Sequence, residues 1–153
     1  MCLMARVVAV AGQIWRDDCY YFDRVTGECK RKFVLVLAVD SASGDLVTAV
    51  FTSKSHGLVE EPACFLGPPR AGYYVGVPGE SLSLESWVEF SSIDTLDTGD
   101  LAIHVTSGRK RLIDQRLPDA LFCAVLRCVL QSPDITRRQS RWVGDTAAAL
   151  GCA

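Results

Sequence analysis

The stretch "KFVLVLAVDSASGDLVTAVFTSKSH", residues 32–56, limits the possible fold more than any other part of the chain. Two runs rich in valine, leucine and phenylalanine flank the small polar turn "SASGD", so they read as the two strands of a hairpin. In the first run the apolar residues follow one another without alternation, as expected of a strand buried on both faces. The second run ends in Thr52, Ser53, Lys54, Ser55 and His56, side chains that donate or accept protons or carry charge. A strand end is exposed yet held by a rigid sheet, which suits groups that must meet a substrate. The competing reading is a solvated turn in which Thr52 and Ser53 bond their own backbone.

Around this hairpin the pattern is mostly β. "GQIWRDDCYYF" reads as a strand that turns through Thr26 and Gly27 into the hairpin, and "YYVGV" and "ESWVEF" supply two more. "KSHGLVEEPACFLGPPRAG", with three prolines and three glycines, is expected to be loop with one short edge strand. The opening "MCLMARVVAVAG" also reads as a strand, because it is short, has no basic segment before it and has no clear cleavage site. Helical spacing of Leu117, Leu121, Ala124, Val125, Cys128 and Val129 predicts one amphipathic helix over about 118–131. "SPD" stops it, and "ITRRQSRWVGDTAAALGCA" can add a short basic helix. Five or six strands followed by one or two helices give a mainly β, α+β fold: a small barrel or bent sheet over residues 1–131, then a basic extension over 132–153. At 153 residues, 49% of them hydrophobic, the chain fits one domain. No stretch approaches the roughly 18 apolar residues of a membrane span.

Charge and cysteines narrow the function classes. The net charge of −2 hides an imbalance: residues 1–103 carry 8 Lys+Arg against 14 Asp+Glu, and residues 104–141 carry 8 against 3. A polyanion should prefer the later part, or the local cluster Lys30, Arg31 and Lys32. Seven cysteines are odd in number and include no CxxC pair, so reduced thiols in a cytoplasm are expected, with Cys123 and Cys128 as small core residues. There is no GxGxxG, GxxxxGK[ST], HExxH or GxSxG, and only His56 and His104 are present, which excludes a multi-histidine metal site within one chain. No cofactor and no metal are expected. Arg137, Arg138 and Arg141 share a face if helical and form the better candidate for an RNA backbone or an acidic partner, while "GRKR" at 108–111 reads as an exposed basic run. Asp17–Asp18 and Glu60–Glu61 read as surface charge, and the three tryptophans as core or interface.

Taken in order, "GQIW", "KFVLVLA", "VTAVFTS", "LESWVEFSSIDTLD" and "LPDALFCAVLRCVL" resemble the MazF/PemK/Kid family of bacterial toxins, over roughly residues 11–130. The resemblance implies an SH3-like barrel that forms a homodimer in the cytoplasm and cuts single-stranded RNA without a metal, as the toxin partner of an antitoxin protein. Attack of a 2′-hydroxyl on the adjacent phosphate needs a base, a cation for the crowded phosphorane and an acid for the leaving oxygen. Thr52 and Ser53 match the family's T-S, and Lys32 falls where the family has its catalytic arginine, with Arg31 one position away. His56 is a further proton-transfer candidate, and Lys30 and Lys54 are further phosphate contacts. Glu89 and Ser91 stand where some relatives carry a catalytic arginine and aspartate. Two functions follow as expectations: a metal-independent endoribonuclease, or a binding module on the same fold that holds RNA, or a protein partner as the related CcdB-type toxins do, without cutting.

Overall fold

A strand that is apolar on both faces must be covered on both faces, and the chain arranges its other elements accordingly. The computed structural model describes residues 7–152. They form one antiparallel sheet of seven strands in the order β4-β5-β6-β3-β2-β1-β7. The strands are β1 (Gln13–Asp23), β2 (Glu28–Val39), β3 (Leu46–Thr52), β4 (Cys64–Phe65), β5 (Gly72–Gly76), β6 (Ser86–Leu96) and β7 (Lys110–Arg116). Three helices accompany them: α1 (Thr98–Thr106) between β6 and β7, then α2 (Asp119–Val129) and α3 (Arg137–Ala149) at the end.

Side chains alternate across β2, and so do the layers they enter. Leu35 and Leu37 join the larger core with Ile14, Val47, Phe90 and, from the two C-terminal helices, Phe122, Val125, Trp142 and Val143. Val36 faces the other way, into a smaller core with Trp15, Leu46 and Leu101 of α1. The region past residue 131 therefore shares the main core through Trp142, Val143 and Ala147. The three tryptophans are buried, as their composition suggested.

Several elements differ from the sequence reading. Val7–Gly12, the described part of the opening stretch, is not a strand; Gly12 N–H donates to the Val36 carbonyl and Ala9 packs in the smaller core. Residues 1–6 of that expected strand lie outside the described residues. β6 runs on to Leu96, and α1 and β7 follow where no element was assigned. Gly99, Ile103, Val105 and Thr106 are poor helix formers, so α1 depends on its ends: the Asp97 carboxylate accepts from the Gly99 and Asp100 N–H groups at 2.7 and 3.3 Å. The Asp45 carboxylate accepts from Thr98 N–H and so ties the helix to the β2–β3 turn. α3 starts with a capping box between Thr136 and Gln139.

The cysteine expectation is corrected. Six of the seven are paired, as Cys19–Cys29, Cys64–Cys128 and Cys123–Cys152. Their separations of 10, 64 and 29 residues say nothing in sequence, yet the fold brings the Cα atoms to 4.7, 5.6 and 5.3 Å, within the reach of a disulfide. Cys123 and Cys128 are thus not free core thiols: one ties α2 to the segment after α3, the other ties α2 to the edge strand β4. No helix among the described residues is long and apolar enough to cross a membrane.

Cys64–Cys128 closes the longest loop of the three, so it restricts the unfolded chain most. Replacing both residues by alanine should lower stability by about 2–4 kcal/mol, read as a fall in the urea midpoint of the oxidised protein. An unchanged midpoint would show that this bridge does not form.

Candidate functional site

The pairing Val34↔Val50 between β2 and β3 brings residues 31–33 alongside residues 51–53. An open pocket of about 250 Å³ lies there, lined by Arg31, Lys32, Thr52 and Ser53 together with Ser81, Ser83 and Ser86 around β6, over an apolar floor that includes Phe33, Phe51 and Leu82. Four candidates from the sequence thus meet in one cavity. The three serines were not anticipated; "GESLSLES" carries only the weak signal of hydroxyls repeating in a loop.

The lining groups differ in how free they are. Thr52 is buried, its hydroxyl donates to the Lys54 carbonyl at 3.1 Å, and its oxygen accepts from Lys54 N–H at 3.2 Å. This is the local turn that competed with the functional reading, and it occupies the hydroxyl. Ser53 is exposed. Arg31 lies 3.2 Å from the Asp18 carboxylate, while Lys32 has no ion pair among the described residues. Lys32 and Ser53 are therefore the groups most available to a ligand. None of the pocket-lining residues is a carboxylate or an imidazole.

Other candidates lie elsewhere. His56 stands on an exposed turn with φ 45° and does not line the pocket. Lys54 is exposed on the same loop, and Lys30 is spread between Asp23 and Glu28 at 4.0 and 3.8 Å. Arg137, Arg138 and Arg141 are exposed on α3, with Arg138 over the Trp142 ring. Trp142 and Asp145 face Val39 and Asp40 across a separate cleft, so this cluster sits near the far end of β2, roughly 23 Å of strand from Lys32. Glu89 pairs with Arg70 at 2.9 Å, and neither Glu89 nor Ser91 lines the pocket.

The largest surprise is a second polar cluster. Asp17 is not surface charge: its side chain is 1% exposed. Arg109 grips both its oxygens, Nε to Oδ1 at 2.9 Å and Nη2 to Oδ2 at 3.2 Å, and Cys19 N–H donates to Oδ1. Lys110 is also buried, with Nζ 3.6 Å from Asp17 Oδ2. His104 of α1 lies between the cations, Nε2 at 3.2 Å from Arg109 Nη1 and Nδ1 at 3.1 Å from Lys110 Nζ. Half of the "GRKR" run is therefore turned inward. Burial opposes the Asp17 charge, yet Arg109, the Cys19 N–H and Lys110 hold its carboxyl below the ordinary value. Burial, Lys110 and Arg109 push His104 down against the weaker pull of Asp17 and Asp100. Nothing local in the sequence joins residues 17, 104 and 109; α1 and β7 had to be recognised first.

No group of three or more His, Cys, Asp or Glu among the described residues is placed to hold a metal ion. No protein-family model matches the chain, and no curated protein matches it in sequence.

The cluster sets an acid limit on stability. A histidine depressed in the fold binds protons better when unfolded, so stability should begin to fall as pH drops below about 6.5, and again below about 4 as the depressed Asp17 follows. Thermal melts across this range should show both declines, and His104→Gln should remove the first. A His104→Gln profile that keeps the decline would place its source elsewhere.

Proposed function

We propose that the chain is an RNA-binding module on an SH3-like fold, and that the pocket between β2, β3 and β6 holds a phosphate of single-stranded RNA without cutting it. One observation carries this reading: Arg31, Lys32, Ser53, the loop serines Ser81 and Ser83, and Ser86 at the start of β6 converge on one cavity with no carboxylate among the described lining residues to repel an anion. Cations supply sequence-independent attraction to phosphate, and hydroxyls donate to its oxygens. Cleavage by 2′-hydroxyl attack asks for more, since a base must take one proton and an acid must give another. The pocket's hydroxyls and cations are poor proton carriers at neutral pH, and His56 stands outside it.

The endoribonuclease reading, a MazF-like toxin restrained by an antitoxin, keeps one supporting observation. Among the described residues Lys32 has no ion pair, and it stands at the position where the resemblance expects a transition-state cation. The three disulfides weigh against a reducing cytoplasm, because such bonds persist in oxidising surroundings. That favours RNA met outside the cytoplasm over a cytoplasmic toxin and antitoxin pair.

The test is fluorescence anisotropy of a labelled single-stranded RNA in EDTA, with the same RNA run on a gel afterwards. Binding should weaken on adding salt, and Lys32→Ala should shrink the log–log salt slope by about 0.7, the contribution of one single-strand phosphate contact. The RNA should stay intact. Cuts that vanish in Lys32→Ala would overturn the holding reading in favour of the nuclease, and binding unchanged in Lys32→Ala and Ser53→Ala would remove the pocket from RNA recognition.

A further inference from the structure

The buried cluster opens onto a second cavity, of about 350 Å³, which Asp17, His104, Arg109 and Lys110 line together with Tyr20, Thr48 and Asp94. Two contacts of His104 favour the uncharged form of the lysine. A guanidinium has donors only, so His104 Nε2, 3.2 Å from Arg109 Nη1, must accept. In a ring with one proton, that proton then sits on Nδ1, which lies 3.1 Å from Lys110 Nζ. An ammonium has no lone pair to receive it, whereas an amine does. The opposite tautomer would set an Nε2–H against an arginine N–H. Both contacts are hydrogen bonds only in the uncharged form of Lys110, so His104 favours that form against the pull of Asp17 toward the ammonium.

The surroundings pull both ways, with a net effect toward the amine. Arg109 takes both oxygens of Asp17 at hydrogen-bond distance and leaves Lys110 at 3.6 Å. Burial is the largest influence on Lys110; Arg109 adds to it, Asp17 and Asp100 oppose it, and the amine's pKa lies below that of an ordinary lysine. The ligand's chemistry follows from what is left over. Arg109 is committed to Asp17 and His104, so no free cation awaits an anionic ligand, and the Asp94 carboxylate would repel one. The Tyr20 and Thr48 hydroxyls and Asp94 suit a ligand that carries hydroxyl groups of its own.

We propose that this cavity is an imine-forming site, in which Lys110 Nζ captures a small, uncharged, hydroxylated aldehyde or ketone. The Nζ lone pair attacks the carbonyl carbon, the carbonyl π pair goes to oxygen, and a proton passes from nitrogen to that oxygen to give a carbinolamine. Loss of water then leaves a C=N bond, so that amine and carbonyl compound become imine and water with no oxidant or reductant. The one lone pair of Nζ leaves the His104 N–H when it attacks, and that N–H, 3.1 Å away, is then placed to protonate the departing hydroxyl while the nitrogen's proton restores the ring.

The chain has four lysines, at positions 30, 32, 54 and 110, so the site can be read by internal competition. The native oxidised protein is incubated with glyceraldehyde and cyanoborohydride near neutral pH, and the reduced adducts are located by peptide mass spectrometry. Lys110 should be labelled several-fold faster than Lys30, Lys32 and Lys54, since its amine is held below the ordinary lysine value and its uncharged fraction is raised. The advantage should vanish in urea, and glyceraldehyde 3-phosphate should label Lys110 more slowly than glyceraldehyde does. Lys110 labelled no faster than the surface lysines overturns the site, and faster labelling by the phosphate overturns the uncharged ligand.

Discussion

The arrangement depends on burying β2 on both faces. Leu35 and Leu37 on one side and Val36 on the other are fully or almost fully removed from water, and each such side chain contributes about 1.5–3 kcal/mol when it leaves water. Covering one face takes α2 and α3, which the disulfides of Cys64, Cys123, Cys128 and Cys152 fasten in place. Covering the other takes α1, which reaches that face through Leu101. Once α1 lies there, the chain must return to the sheet edge, and β7 does so beside β1. Two covers for one strand thus account for the position of His104 and for the delivery of Arg109 and Lys110 to Asp17.

This dependence explains what was legible in the sequence. Strongly apolar or periodic segments declared themselves: the β2–β3 hairpin, the short edge strand in the proline-rich loop and the helix after Pro118. Lys32, Thr52 and Ser53 were grouped by the family resemblance, and the hairpin pairing Val34↔Val50 is what brings them side by side. α1 was not legible, because its residues are weak helix formers and its stability comes from the Asp97 cap and from packing. β7 carries polar residues on much of its length, as an edge strand does, and so shows no apolar run. Asp17 looked like half of a charged pair on a surface strand, because nothing nearby reveals that an arginine ninety-two positions away reaches it. The cysteines misled for the same reason: pairing is a matter of distance in space.

The two cavities also differ in how their cations are spent. In the buried cluster, Arg109 is bound twice to one carboxylate, a geometry that favours arginine over lysine. In the pocket between β2, β3 and β6, Lys32 is left without an ion pair among the described residues. A charge serves an incoming polyanion only if the protein has not already neutralised it, so an open cation at a strand end and a satisfied one in the interior have different uses.

The register joins the two sites. Asp17 on β1 stands directly across from Lys32 on β2, and residues so paired in an antiparallel ladder share a face and lie close enough to form an ion pair. Left to that neighbour, Lys32 would spend its charge on Asp17. Arg109 takes both Asp17 oxygens instead, and Lys110 is the next cation in reach. The α1–β7 excursion therefore does two things at once: it buries a carboxylate that a surface strand would otherwise expose, and it releases Lys32 from its cross-strand partner. The free cation of the outer pocket is a consequence of the closed cluster behind it.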